Sequence, residues 1–183
     1  MINSLVDNKV LMPNMLLIAG NGRNVGKTYL ACKIIQHFSQ SHNVTGIKIS
    51  PHMHETDDEN CLIRNNNFSI TKEQKINSKD SSLMLQSGAA EVFFVTTKRE
   101  YLKDAFYELQ KILPEGMMIC ESGGLHEWVT PGLFFFVKKQ GEEIVKRDLL
   151  SSCPIIVNNN GRDLDFSIED IRFEQNQFIF QKA

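Results

Sequence analysis

Residues 15–38 read MLLIAGNGRNVGKTYLACKIIQHF, and this stretch decides the fold. The run at 15–19 is short and apolar, which is typical of a buried strand. Downstream, apolar residues recur at helical spacing: Leu30, Ala31, Ile34, Ile35 and Phe38. A glycine-rich loop that ends in Gly26-Lys27-Thr28 lies between the two. The order strand, glycine-rich loop and helix predicts a phosphate-binding loop.

The residue types of this loop suit phosphate chemistry. Glycines let backbone N–H groups approach phosphate oxygens, and the helix start adds its positive dipole end. Lys27 can reach the β- and γ-phosphates, and the Thr28 hydroxyl can ligate Mg²⁺. The predicted nucleotide-binding residues of the stretch are Gly20, Asn21, Gly22, Arg23, Asn24, Val25, Gly26, Lys27, Thr28 and Tyr29.

The loop departs from the common pattern G-x-x-x-x-G-K-[ST] at one position. The first glycine of that pattern would fall at Asn21, and glycine stands instead at Gly20 and Gly22. A chance Gly-Lys-Thr on a surface turn is the alternative, but it does not account for the flanking strand and helix patterns.

Composition excludes several classes of protein. The chain has 183 residues with a net charge of −2, which gives no field to attract nucleic acid or an anionic membrane. Its four cysteines include no C-x-x-C pair, which favours reduced thiols in a cytosol. No apolar run reaches the length of about 18 residues that a membrane span needs, and the N-terminus lacks a signal-peptide pattern. We therefore expect a cytoplasmic protein.

Strand-like and helix-like patterns alternate along the chain. Strands are expected at 44–50, 92–96, 117–121, 133–137 and 155–158, the last of them central, and helices at 80–88, 99–113 and 141–150. The pattern at 171–180 indicates a terminal hairpin or edge strands. This alternation predicts an α/β fold with a mostly parallel sheet and helices on both faces.

We expect a single domain over residues 1–183. Segment 51–79 is polar with few apolar residues, and it is either a flexible loop or a small insertion. Since it leaves the carboxyl edge of the sheet, it is a candidate to engage a second substrate or a partner.

Polar residues follow the predicted strands, where ligands bind in such sheets. Lys48 is a candidate for contact with a γ-phosphate or an anionic substrate, or else a lysine that faces solvent. Asp80 could cap a helix or serve Mg²⁺. Glu121 ends a buried strand, where a carboxylate is costly unless it is paired or near a metal. Asn158 follows the last strand, where a base could be read, although an Asn-rich turn explains it nearly as well.

One further cluster contains His52, His54 and Cys61. Together these residues are candidate zinc ligands, but their spacing matches no strong metal motif, so a polar loop is the better interpretation.

The motifs resemble two related families. The loop 20–28, the strand with Lys48, the segment 77–86 and the run Glu121-Ser122-Gly123-Gly124 resemble dethiobiotin synthetase and come in its order. Segments 48–54 and 163–171, Asp80 followed by 87–89, and the acid of Glu121-Ser122-Gly123 resemble the MobB protein of molybdopterin-guanine dinucleotide biosynthesis.

The resemblance implies a P-loop NTPase fold with a seven-stranded sheet, frequent homodimers, and Mg²⁺ held through Thr28, Asp80 and Glu121. For dethiobiotin synthetase it implies ATP-dependent carboxylation and ring closure on a diamino acid, with Lys27 and Lys48 near the reacting groups as catalytic candidates. For the MobB type it implies GTP binding, weak hydrolysis and an accessory role beside a guanylyltransferase.

Overall fold

The computed structural model describes residues 9–51 and 58–182. Its strands are β1 (Val10–Gly20), β2 (Val44–Ser50), β3 (Cys61–Arg64), β4 (Phe68–Lys72), β5 (Glu91–Thr97), β6 (Met117–Glu121), β7 (Val129–Lys139), β8 (Ile155–Asn159), β9 (Ile171–Glu174) and β10 (Gln177–Phe180). Its α-helices are α1 (Lys27–Phe38), α2 (Asp80–Gln86) and α3 (Leu102–Gln110). Short 3₁₀ turns occupy Asp58–Asn60, Arg99–Tyr101, Leu125–Glu127, Arg147–Ser152 and Ile168–Asp170.

Within residues 9–51 and 58–182, the main sheet has eight strands in the order β3-β4-β5-β2-β6-β1-β7-β8. The strands from β5 to β8 in this order all run parallel, whereas β3 and β4 are antiparallel and extend one edge. The predicted α/β class with a mostly parallel sheet is therefore confirmed. The seven strands that the resemblance implies are a wrong count, because six parallel strands and the antiparallel strands β3 and β4 make eight within the described residues.

Helices cover both faces of the sheet, as predicted. One apolar core lies between the sheet and α1 and α2, and it contains Leu30, Ile34 and Met84. The other lies on the side of α3, where Leu102 and Phe106 pack. The amphipathic pattern of each helix thus decides which side of the sheet it covers.

Two expectations about the last third of the chain are wrong. Strand β8 lies at an edge rather than in the centre, and Ile156 on it is 40% exposed. The expected helix at 141–150 is replaced by a turn and the 3₁₀ segment Arg147–Ser152. Gly141 has φ of 80°, outside the helical region, and backbone groups of Glu143 and Val145 bond to the Asn21 side chain instead of to a helix.

The C-terminal hairpin is confirmed. Strands β9 and β10 pair in antiparallel fashion around Gln175 and Asn176, which both have positive φ. Phe178 is buried, with its ring 5.9 Å from that of Phe38, so the hairpin covers the end of α1.

The described part of segment 51–79 is not featureless. It contains β3 and β4, and Phe68 and Ile70 of β4 are buried in the core on the side of α3. None of the helices in residues 9–51 and 58–182 combines the length and apolar character that crossing a bilayer requires.

Candidate functional site

A polar cleft of about 740 Å³ opens at the carboxyl ends of the parallel strands. The glycine-rich loop and the first turn of α1 form one wall, through Gly22, Arg23, Asn24, Gly26, Lys27, Thr28 and Tyr29. The ends of β2 and β6, the start of α2 and the segment after β7 complete it, through Lys48, Ile49, Ser50, Pro51, Asp80, Glu121, Ser122, Gly123 and Lys146. The four lysine and arginine side chains of this lining outnumber its two carboxylates, so the cleft favours an anion.

Close packing explains two of the loop glycines. A Cβ on Gly20 would lie 2.8 Å from Val25 Cγ2 and 2.9 Å from the Lys27 side chain. Gly26 has φ of 102°, and a Cβ there would lie 2.1 Å from Asn159 Nδ2. The Asn159 amide in turn donates a hydrogen bond to the Val25 carbonyl at 3.0 Å. The loop is therefore held from behind by β8, and α1 starts directly after Gly26.

Lys27 lies over the loop that precedes it. Its ammonium group donates a hydrogen bond to the Gly22 carbonyl at 2.6 Å. Burial lowers the pKa of Lys27 below its usual 10.5; Glu121 opposes this shift, whereas Lys48 and Lys146 add to it. A bound anion would favour the charged form, so the cleft is arranged to gain from anion binding.

Four side chains form a continuous polar network that joins Thr28 of α1 to the opposite wall. The Thr28 hydroxyl donates to Glu121 Oε2 at 2.8 Å. Glu121 Oε1 lies 2.6 Å from Lys48 Nζ, and Asp80 Oδ2 also lies 2.6 Å from it. Strand register produces the central pair, because Lys48 of β2 lies directly opposite Glu121 of β6.

The network offsets the free-energy cost of burying the Glu121 carboxylate at the end of β6. The Glu121 side chain is only 3% exposed, and both of its oxygens have partners. Lys48 is also largely buried, whereas Asp80, at the start of α2, is 47% exposed. A buried carboxylate needs such pairing to remain charged.

Thr28, Asp80 and Glu121 carry hard oxygen donors of the kind that Mg²⁺ prefers. The Lys48 ammonium lies between the two carboxylates and balances their charge, so a magnesium ion here would need a bound ligand to complete its coordination. In residues 9–51 and 58–182 no group of three or more His, Cys, Asp and Glu side chains could hold a metal by itself.

The predicted site residues do not all meet. Lys27, Thr28, Lys48, Asp80 and Glu121 come together in the cleft, and so do Arg23, Asn24 and Tyr29. Val25 is buried behind the loop.

Asn158 lies outside the cleft lining. Its backbone N–H and side-chain amide bond the Asp165 carboxylate at 2.8 and 2.6 Å. The neighbouring Asn159 contacts the loop instead.

Lys146 could not be predicted from the sequence, because it lies in the connection after β7 and matches no motif. The signal that could have found it is Asn21, the residue that departs from the common loop pattern. Its side chain bonds the backbone of Glu143 and Val145, immediately before Lys146.

A second cavity of about 390 Å³ adjoins the cleft. It shares Ile49, Pro51, Ser122, Gly123 and Lys146 with the first, and adds Thr97, Arg99, Leu102, Gly124, Val145, Asp148 and Leu149. It is therefore more apolar than the cleft, with a few charged groups at its rim.

The zinc hypothesis gains nothing from the structure. His52 and His54 lie outside the described residues. Cys61 begins β3, and its thiol donates to the Ile63 carbonyl at 3.4 Å.

Comparison of the chain with protein-family models, with curated proteins and with solved structures found no match.

Proposed function

We propose that this protein is a P-loop NTPase that binds ATP or GTP with Mg²⁺ in the polar cleft and hydrolyses it slowly. One observation carries the proposal. Gly26, Lys27 and Thr28 open a helix directly opposite a buried carboxylate, and the Thr28 hydroxyl bonds that carboxylate at 2.8 Å.

The charge distribution supports a triphosphate as the ligand. Backbone N–H groups at the start of α1 and the ammonium group of Lys27 would neutralise the phosphate chain. Lys48, whose charge Asp80 and Glu121 largely balance, would approach the terminal phosphate. Thr28 would hold Mg²⁺, with Asp80 and Glu121 acting on it directly or through water. The ion, when bound, would withdraw electron density from the phosphate oxygens.

Among proteins with such a site, we place this chain nearest to the MobB type, as an accessory protein of molybdenum cofactor biosynthesis. The support is the resemblance at Lys48 and its following residues, at Asp80 and at Glu121-Ser122-Gly123. This proposal carries with it a cytoplasmic location, which the composition favours, and a homodimer, which the resemblance implies.

A dethiobiotin synthetase-like ligase is the second candidate, and the adjoining cavity favours it. A ligase must hold a second small molecule next to the triphosphate, and the two cavities share Lys146 and Gly123. A further candidate is a regulatory protein that binds nucleotide without turnover.

Segment 51–79 remains a candidate for docking a partner protein. Within the described residues, Pro51 alone of this segment lines either cavity. Since β4 pairs with β5 and is partly buried, a large deletion would damage the sheet, and point changes at the exposed Leu62 are a gentler test.

A nucleotide panel tests the proposal. Melting temperature is measured with ATP, GTP, CTP, UTP and AMP, each with Mg²⁺ and with EDTA. A ligand at a concentration of about 100 times its Kd stabilises the folded protein by about 2.7 kcal/mol, and this raises the melting temperature by a readily measured amount. We expect a shift with Mg·ATP or Mg·GTP and slow phosphate release from the same nucleotide. No shift with any triphosphate would reject the proposal, and a shift without phosphate release would favour the regulatory candidate.

A further inference from the structure

Asn21 occupies the position where the common loop pattern has its first glycine, and its side chain makes two hydrogen bonds. Its Nδ2 donates to the Glu143 carbonyl at 2.8 Å, and its Oδ1 accepts from the Val145 N–H at 2.8 Å. The Asn21 backbone N–H bonds Val137 of β7 at 2.9 Å. A glycine would keep the last bond and lose the other two.

These bonds hold the turn after β7 against the loop. Both partners are backbone groups more than 120 residues away in sequence. On its other side the turn leads into a 3₁₀ segment that is anchored by the buried Leu149. Lys146 lies between these two attachments, directly after Val145.

Lys146 reaches the polar cleft that also contains Lys27. It lines the cleft, and its Nζ lies 3.8 Å from the position of a Cβ built on Gly123. The charge of Lys146 helps to lower the pKa of Lys27, although burial and the charge of Lys48 lower it more. The charge of Lys48 is largely balanced by two carboxylates. By contrast, none of the ion pairs found among the described residues contains Lys146, so its charge is available to a ligand.

We propose that Lys146 binds the polyphosphate chain of the ligand and that Asn21 is the residue that positions it. This inference rests on the proposed function, and it adds Lys146, which lies outside the glycine-rich loop, to the cations that bind the phosphates. A lysine in an unattached turn would have to be ordered when the ligand binds, which costs affinity. The Asn21 amide orders the turn in advance. The departure from the common glycine is thereby explained as a functional feature.

A double-mutant cycle tests this. Dissociation constants for Mg·ATP, Mg·GTP and Mg·tripolyphosphate, which lacks a base, are measured by calorimetry for the wild-type protein, Asn21→Gly, Lys146→Ala and the double variant. We expect Lys146→Ala to weaken binding at least about tenfold, the size of one charge-assisted hydrogen bond. Asn21→Gly should weaken binding about five- to tenfold, because the turn must then be ordered when the ligand binds. The double variant should bind no more weakly than Lys146→Ala, because the hydrogen bonds of Asn21 have no lysine to position once Lys146 is absent.

Controls separate this from a structural effect. Lys146→Arg should keep affinity within about threefold, and Lys111→Ala, on an exposed lysine at the end of α3, should change nothing. Melting temperatures should show that Asn21→Gly and Lys146→Ala remain folded.

Three outcomes would overturn the proposal. Unchanged or tighter binding by Asn21→Gly would show that the common loop glycine serves as well. Additive losses in the double variant would show that the two residues act separately. If the wild-type protein binds none of the three ligands, the proposed function falls and this inference with it, whereas normal wild-type binding with unaffected variants rejects this inference alone.

Discussion

Replacing Lys48 by methionine should destabilise the protein strongly, because it leaves Glu121 buried without its cation. Lys48 is 13% exposed and Glu121 3% exposed, and their charged atoms lie 2.6 Å apart. Removal of one partner of a buried ion pair costs about 3–5 kcal/mol. Asp80 is half exposed, so its contact with Lys48 adds at most about 1 kcal/mol. Water that enters from the cleft should relieve part of the cost, and we expect a loss of about 3 kcal/mol for Lys48→Met.

A second variant identifies the cause of the loss. In Lys48→Met/Glu121→Gln the buried charge is gone, while the amide oxygen introduced by the second substitution can still accept the hydrogen bond from the Thr28 hydroxyl. We expect the double variant to recover at least half of the stability that Lys48→Met loses.

Urea unfolding followed by circular dichroism gives the free energies of unfolding. Lys111→Met is the matched control, because Lys111 also pairs with a carboxylate, Glu108 at 2.5 Å, but is 66% exposed. It should cost about 1 kcal/mol or less. Equal small losses for Lys48→Met and Lys111→Met would refute the reasoning, and so would a double variant less stable than Lys48→Met.

Four further predictions follow from the same contacts. Gly26→Ala should lower the free energy of unfolding by about 1–3 kcal/mol, measured in urea, because φ is 102° and Asn159 fills the space; an unchanged value would contradict the loop geometry. Triphosphate affinity should fall as pH rises through the lowered pKa of Lys27, since the neutral amine loses its charge; calorimetry should show the fall beginning below pH 10.5 and its absence in Lys27→Met. Chelation of Mg²⁺ with EDTA should weaken triphosphate binding at least about tenfold, because phosphates and the carboxylates of the cleft repel one another, and equal Kd values would count against a metal role. Phe178→Ala should cost about 3–5 kcal/mol in urea, as the ring is 1% exposed; a loss below about 1 kcal/mol would mean that the hairpin packs loosely.

Much of the candidate site could be predicted from the sequence because its parts are local or lie at strand ends. The loop, Lys27 and Thr28 are one continuous motif. Lys48 lies near the end of β2 and Glu121 ends β6, and the ends of parallel strands meet at one edge of the sheet. The distance between them could not be predicted, because it depends on the register of β2 against β6.

The features that could not be predicted from the sequence depend on side-chain direction and on contacts between distant parts of the chain. Asn158 and Asn159 are neighbours on β8, yet side chains alternate along a strand, so only Asn159 meets the loop. Lys146 reaches the cleft through two hydrogen bonds from Asn21 that span the chain. The short strands β3 and β4 were hidden because segment 51–79 is polar, as edge strands often are.

The central claim, that the cleft binds a nucleoside triphosphate, is tested most directly by titrating Mg·ATP and Mg·GTP into the wild-type protein and Lys27→Ala in a calorimeter. Lys27 bonds a loop carbonyl rather than a core residue, so its loss should leave the circular dichroism spectrum unchanged. The account predicts saturable binding of at least one nucleotide by the wild-type protein, and at least about tenfold weaker binding by the variant. Equal affinity in the two proteins, with the fold preserved, would contradict it.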